Sequence, residues 1–281
     1  MISVICVYNN EKILNDCLLK SLRNQPVKFE LITIDNTRGE FKSAAAALNY
    51  GGNKATGKYF MFVHQDVTLC SDSFLEDAEK VLDGLTNFGT VGIAGKHEGS
   101  KRRVFSNLKQ GPSQLEPLGF IHINSPVKVQ TIDECLIIIP KSVFDILPFD
   151  ERVCDDWHLY AVDYCLSAQK LGFDNYVIPM MINHISGGNV AKTTSQLIRR
   201  LGYFPKGYYR TLKKILNKHR YFVKMIYTTT ENWHTARSLL WQRIWLTIPE
   251  VFIRYLTKIG IRYLWRKSGL KYYLGKLQNN E

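Results

Sequence analysis

A chain of 281 residues with 45% apolar and 22% charged residues has the make-up of an ordinary globular protein, long enough for one large domain or a domain with a helical appendage. Its six cysteines show neither a CxxC pair nor zinc spacing, and no apolar stretch approaches 18 uncharged residues, which excludes zinc modules and a membrane-spanning helix. The net charge of +12 is uneven: residues 1–189 hold 18 Lys and Arg against 22 Asp and Glu, whereas residues 190–281 hold 19 against 3. A mildly acidic body and a strongly basic tail imply two jobs.

Ile2 to Val7 predicts a buried strand that ends at Tyr8-Asn9-Asn10-Glu11. Ile13 to Arg23 carries apolar residues at helical spacing, with Asn9 or Asn10 as its cap. Phe29 to Ile34 is a second strand, ending at Asp35-Asn36-Thr37. Strand, helix and strand in so short a span form a βαβ unit, which implies a parallel sheet. An alanine-rich helix over Ser43 to Lys54 leads to a third strand, Tyr59 to Val63, which stops at His64-Gln65-Asp66. Further on, Phe74 to Leu85 predicts an amphipathic helix and Val91 to Ala94 a short strand. Residues 96–130 lack periodicity and read as a substrate-facing insertion. Thr131 to Pro140 predicts a strand, and Lys141 to Ile146 a short helix.

In open α/β sheets, ligands bind beyond the carboxyl ends of the strands. The three polar clusters at 9–11, 35–36 and 64–66 share such a rim if their strands are neighbours, and the rim is of nucleotide size. His64 and Asp66, two apart in extended backbone, project to one side. An imidazole and a carboxylate at that spacing suit a divalent cation that holds a phosphate. Each cluster also has a bland reading, since Asn and Asp favour turns and caps. No GxGxxG follows the first strand and no GxxxxGK[ST] occurs, which disfavours dinucleotide and P-loop sites.

The ordered set Val-Tyr-Asn-Asn-Glu (7–11), Thr-Ile-Asp-Asn (33–36), Gly-Lys-Tyr-Phe-Met-Phe-Val-His-Gln-Asp-Val (57–67) and Pro-Phe-Asp-Glu (148–151) resembles a family 2 glycosyltransferase. Asp156-Trp157-His158-Leu159-Tyr160 with Asp163, and Asn183-His184-Ile185-Ser186-Gly187-Gly188, add to the likeness. The variant it is most similar to is the streptomycin-biosynthesis-like branch, in which His-Gln-Asp replaces Asp-x-Asp. The resemblance covers roughly residues 1–190. It implies an α/β, GT-A Rossmann-like fold: a mixed, mostly parallel sheet flanked by helices, here with a C-terminal helical extension over 191–281. It also implies that Tyr8, Asn10, Glu11, Asp35, Asn36 and Gln65 surround a nucleoside-diphosphate sugar, a UDP-sugar first of all. Asp66 falls on the last acid of the Asp-x-Asp motif, which binds the diphosphate through Mn2+ or Mg2+. His64 stands in the first acid's place, and His184 matches a histidine that approaches the metal.

The resemblance leaves the catalytic base open. The register of the helix Asp163 to Leu171 puts Tyr160-Ala161 where an acidic pair is expected. Asp156, beside Asp155, is the first choice, and Asp163 and His158 are the others. The implied reaction is attack of an acceptor hydroxyl on the anomeric carbon, with inversion, as a carboxylate takes the proton. A saccharide or lipid-linked saccharide would be the acceptor, in cell-surface polysaccharide or glycolipid assembly.

From Gln196 onward, Lys, Arg, Tyr, Trp and Leu recur at helical spacing, and Arg254, Lys258, Arg262 and Arg266 step by four. Basic helices with interfacial aromatics suit an anionic membrane surface. The same apolar faces could instead pack on the catalytic domain or make a homodimer. With reduced cysteines and no signal-peptide layout, the expected place is the cytoplasm, peripherally on the inner face of the membrane. Basic charge with aromatics also serves RNA, but no RNP, zinc-finger or KH signature is present, so no nucleic-acid partner is expected.

Overall fold

The computed structural model describes residues 1–100, 103–111, 114, 120–185 and 204–243. Chain contacts divide the protein into two compact units, Met1–Gln196 with Phe204–Ala236, and Leu197–Tyr203 with Arg237–Glu281. The first unit carries nearly all the described residues and is mixed α/β.

β1 (Ile2–Tyr8) is buried over its first five residues, an apolar run interrupted at Ser3. α1 (Glu11–Leu14) starts under Asn10, whose side chain accepts from the Ile13 N–H. It passes through a π-helical turn (Asn15–Leu19) into α2 (Lys20–Leu22). β2 (Glu30–Asp35) is followed by α3 (Ala44–Gly52), capped by Ser43. β3 (Tyr59–Val63) is wholly buried. Gly57, just before it, lies so close to β1 that a Cβ there would sit 2.8 Å from the Ser3 nitrogen and 2.9 Å from the Met1 oxygen.

Next come β4 (Val67–Leu69), α4 (Phe74–Asp83), β5 (Phe88–Gly92), β6 (Ala94–Lys96), β7 (Val104–Ser106), β8 (Lys109–Gln110), β9 (Phe120–Ile121) and β10 (Val127–Val129). They lead to β11 (Thr131–Ile132), β12 (Leu136–Pro140), α5 (Lys141–Phe144), α6 (Tyr160–Lys170), β13 (Asp174–Val177) and β14 (Ile182–His184). α7 (Lys206–His219) and the hairpin of β15 (Met225–Tyr227) and β16 (Asn232–His234) complete the unit.

The central sheet has the order β10-β13-β5-β12-β3-β1-β2. β1 pairs in parallel with β2 and β3, and β13 with β5, while β12 runs antiparallel between β3 and β5 and β10 antiparallel on β13. The sheet is therefore mostly parallel. β1, β2 and β3 lie side by side, so their polar ends meet on one rim.

Three expectations are corrected by the structure. The described part of residues 96–130 is no bare loop: β6, β7 and β9 form a second sheet with β11. Strands of two or three residues are too short to show a period. The strand expected over 131–140 breaks at Asp133-Glu134-Cys135 into β11 and β12, which serve different sheets.

The third concerns the basic region. α7 lies in the first unit, burying Tyr208, Leu212, Ile215 and Leu216, and its cations meet the acidic body. Arg210 and Lys214 pair with Asp155, Arg210 also with Asp156, and Lys218 with Asp150 and Asp163. Part of the charge read as a tail thus offsets the body's own carboxylates. The stripe Arg254, Lys258, Arg262 and Arg266 lies outside the described residues. Among the described residues no helix is long and apolar enough to cross a membrane.

Candidate active site

The rim of β1, β2 and β3 opens on a cavity of about 940 Å³. Tyr8, Asn10, Asn36, His64, Gln65 and Asp66 line it, as do Arg38, Lys42, Trp157 and Tyr160, which sequence reading passed over. Arg38 and Lys42 bring two cations to the cavity wall. Glu11 and Asp35 do not line the cavity: Glu11 lies exposed in the first turn of α1, and Asp35 folds back to accept from the Thr37 N–H at 2.8 Å. That bond is the main reason the Asp35 carboxyl is held below its ordinary range.

Two of the lining amides hold the site's own walls. Asn36 is buried, donates to the Phe41 carbonyl at 3.2 Å and accepts from the Phe41 N–H at 2.8 Å. Gln65 accepts from the N–H groups of Asn9 and Asn10, each at 3.0 Å. It therefore ties the end of β3 to the start of α1.

Beside them, His64, Asp66 and His184 each offer a ligand atom within 4.8 Å of the others. β3 delivers His64, and the bend after it delivers Asp66. His184 arrives on β14, paired with Val67 of β4. Asp66 Oδ1 lies 3.3 Å from His184 Nε2, and His64 Nδ1 lies 3.4 Å from the same nitrogen. Burial, then the neighbouring His184, pushes His64 down to about 4, so its ring is neutral at physiological pH. Burial also pulls on His184, but the Asp66 carboxylate outweighs it and the net shift is upward. Two imidazoles and one carboxylate so arranged fit a divalent cation, since a ligand histidine must be neutral and offer a lone pair.

None of the four residues considered for catalysis lines the cavity. Asp163 is 2% exposed and bonded to Lys218 at 2.7 Å and His219 at 2.8 Å, so it is an internal counter-ion. Asp155 faces Arg210 and Lys214. Asp156 accepts from the Trp157 N–H at 2.6 Å and from Arg210 at 3.0 Å, directly before the cavity-lining Trp157. His158 packs its ring 6.0 Å from that of Tyr208.

Leu159 takes a left-handed φ of 66°, rare for a leucine, and α6 starts immediately after it. Its N–H donates to the Glu134 carboxylate, and the turn aims Tyr160 at His64, with the hydroxyl 3.0 Å from His64 Nε2. Burial first, and the adjacent Asp133 second, push the Glu134 carboxyl up to about 8. Glu134 gave no signal in the sequence and Tyr160 stood out only as the residue in an expected acid's place, because a pair 26 residues apart becomes neighbours only through the fold.

Residues 3–186 match the glycosyltransferase-like family. The chain is 22% identical over 194 residues to a Fuscovulum blasticum protein called ATP synthase subunits region ORF 6, covering 64% of this chain and 74% of that one. Among solved structures it is similar to the mannosyltransferase PcManGT from Pyrobaculum calidifontis, described in complex with GDP-Man and Mn2+. That match has 15% identity and a TM-score of 0.52, over 79% of this chain and 65% of the other, just under two thirds of its length. It is also similar to GalNAc-T7, described with UDP, GalNAc and Mn2+, at 12% identity and a TM-score of 0.50, over 78% of this chain and 47% of that one. The mixed sheet, with its parallel strand ends at one rim, is the GT-A architecture, and the chain belongs to the glycosyltransferase-like family.

Proposed function

We propose that this protein moves a sugar from a nucleoside-diphosphate sugar, first of all a UDP-sugar, to an acceptor hydroxyl with inversion at the anomeric carbon. The observation that carries the reading is the meeting of two features: the polar ends of three parallel strands on one cavity, and the His64, Asp66 and His184 donor set, of which His64 and Asp66 line that cavity. His64, Asp66 and His184 would hold Mn2+ or Mg2+, which supplies Lewis-acid stabilisation of the leaving diphosphate when bound. Arg38 and Lys42 add positive charge to the same wall. Tyr8, Asn10 and Asn36 shape the nucleoside side, and Gln65 holds the loop that bears Asn9 and Asn10. Trp157 offers an apolar face for a sugar ring, and Asp156 beside it is our proposed proton acceptor from the acceptor hydroxyl.

The acceptor in this reading is a saccharide or lipid-linked saccharide of cell-surface polysaccharide or glycolipid assembly. The basic stripe at 254–266 supports a peripheral position on the inner face of the membrane. Pairing of α7's cations with acids of its own unit speaks against a nucleic-acid surface there. The test is a panel of nucleoside-diphosphate sugars with manganese or with chelator, reading released nucleoside diphosphate. Metal-dependent hydrolysis of one donor, lost in Asp66→Ala, is the expected result. Absence of both turnover and metal-dependent nucleotide binding would sink the reading.

A further inference from the structure

The hydroxyl of Tyr160 is the last link of a chain of polar atoms that starts at Asp66, and each end of that chain accepts from its neighbour within it. At one end of the metal-free chain the Asp66 carboxylate, 3.3 Å from His184 Nε2, keeps a proton on that nitrogen, one that a bound cation would displace. His64 Nδ1, 3.4 Å from the same N–H, must then face it with a lone pair. At the other end Tyr160 donates its single proton to the Glu134 backbone carbonyl at 3.2 Å. Its oxygen, 3.0 Å from His64 Nε2, is left to accept. Both ends give the same answer for the ring between them: the proton of His64 sits on Nε2 and the lone pair on Nδ1, the atom turned toward Asp66 and His184.

We propose that Tyr160 is a positioning residue that locks His64 in the Nε2–H tautomer and so presents Nδ1 to the divalent cation. This rests on the metal reading of the site given above. Tyr160 is suited to the task because it is 4% exposed and held by ring contact with Phe149, with centroids 5.9 Å apart. The hydroxyl cannot swing away, and the left-handed Leu159 fixes where the helix that bears it begins. Outer hydrogen bonds of this kind set which ring nitrogen meets a metal, and their loss typically lowers metal affinity about ten- to a hundred-fold. An aromatic residue thus stands where the related enzymes are expected to carry an acid, and its work is done on the cation side of the cavity.

The experiment has two readouts on the whole chain. The first is the imidazole 15N shifts of His64 in metal-free protein, which report the tautomer directly. The second is Mn2+ affinity, followed by the loss of the free-ion electron paramagnetic resonance signal. In wild type, His64 is expected as the Nε2–H form. In Tyr160→Phe, which keeps the ring and removes only the oxygen, that form is lost or mixed and Mn2+ binds about ten- to a hundred-fold more weakly. An Nδ1–H tautomer in wild type would overturn the proposal, as would unchanged shifts and affinity in Tyr160→Phe. If wild type binds no Mn2+ while His64 is still Nε2–H and loses that form in Tyr160→Phe, the metal reading falls and the tautomer lock stands.

Discussion

Gln65 donates to the Asn9 side chain at 2.7 Å and accepts from the Asn9 backbone N–H at 3.0 Å, so the two residues hold each other at both ends. The pair joins the strand that bears His64 to the loop that opens α1. Gln65→Leu removes these bonds and the one to the Asn10 N–H. Each contributes about 1 kcal/mol or less where water can replace it. The expected result is nucleoside-diphosphate affinity about ten-fold weaker by calorimetry, with Mn2+ uptake within about two-fold of wild type, because the donor atoms of the cation cluster are untouched.

Asp163 is expected to matter for folding rather than for chemistry. Its carboxylate is 2% exposed and answers both Lys218 and His219. The substitution leaves the buried His219 facing an amide and Lys218 with Asp150 alone, which costs about 2 kcal/mol. Urea denaturation of Asp163→Asn should show that loss, while any turnover that survives keeps its wild-type metal dependence. A stable Asp163→Asn protein with abolished transfer would return Asp163 to the list of catalytic groups.

For Asp156 the opposite split is expected. As the proton acceptor, Asp156→Asn should lower transfer about a hundred-fold or more with nucleotide binding retained. Arg210→Ala, which removes the ion pairs to Asp155 and Asp156 but keeps the Asp156 carboxylate, should leave most of the transfer rate. Gly207→Ala supplies the third arm. A Cβ at Gly207 would fall 1.9 Å from Asp156 Oδ2, so the methyl must displace either the carboxylate or the start of α7. Transfer should fall there too, although no charge is altered.

Glu134 gives a pH signature. Its folded pKa, about 8, lies above the ordinary glutamate value of 4.5, so the folded protein holds a proton that the unfolded chain has released. Stability from this group is present below pH 4.5 and is lost as pH rises through 8. Glu134→Gln keeps an acceptor for the Leu159 N–H and removes the titration. Between pH 6.5 and 8.5 the wild type should lose about 1 kcal/mol more than Glu134→Gln, since the residue as a whole is half-buried. Thermal melts of both proteins across that range check the difference, since their histidines titrate in common.

The sequence showed what neighbouring residues make together and hid what distant ones do. Tyr59 to Val63 reads as a buried strand because all five side chains are apolar, and its polar end marks the rim. His64 and Asp66 are legible as a pair because they are two apart. His184 joined them only through the family likeness, and the β14–β4 pairing is what carries it there across 118 residues from Asp66. The clasp of α7 on Asp155, Asp156 and Asp163 was illegible: its partners are 54 to 59 residues apart and look like an acid cluster and a basic helix with separate fates. The insertion of β12 between β3 and β5 likewise follows from packing and not from chain order.

The π-helical turn between α1 and α2 sets a phase. Its extra residue decides which way Ser21 points, and Ser21 both donates to the Leu18 carbonyl at 2.9 Å and accepts from the Leu69 N–H at 3.1 Å. Deleting one residue within 15–19 would restore a regular helix and rotate everything after it by roughly 100°. Ser21 would then turn off Leu69, at the end of the short strand whose first residue follows Asp66 and pairs with His184. Sequence length in this stretch should therefore tolerate less change than sequence content: a single-residue gap there is felt at the cation cluster, while a polar substitution on its outer face is not.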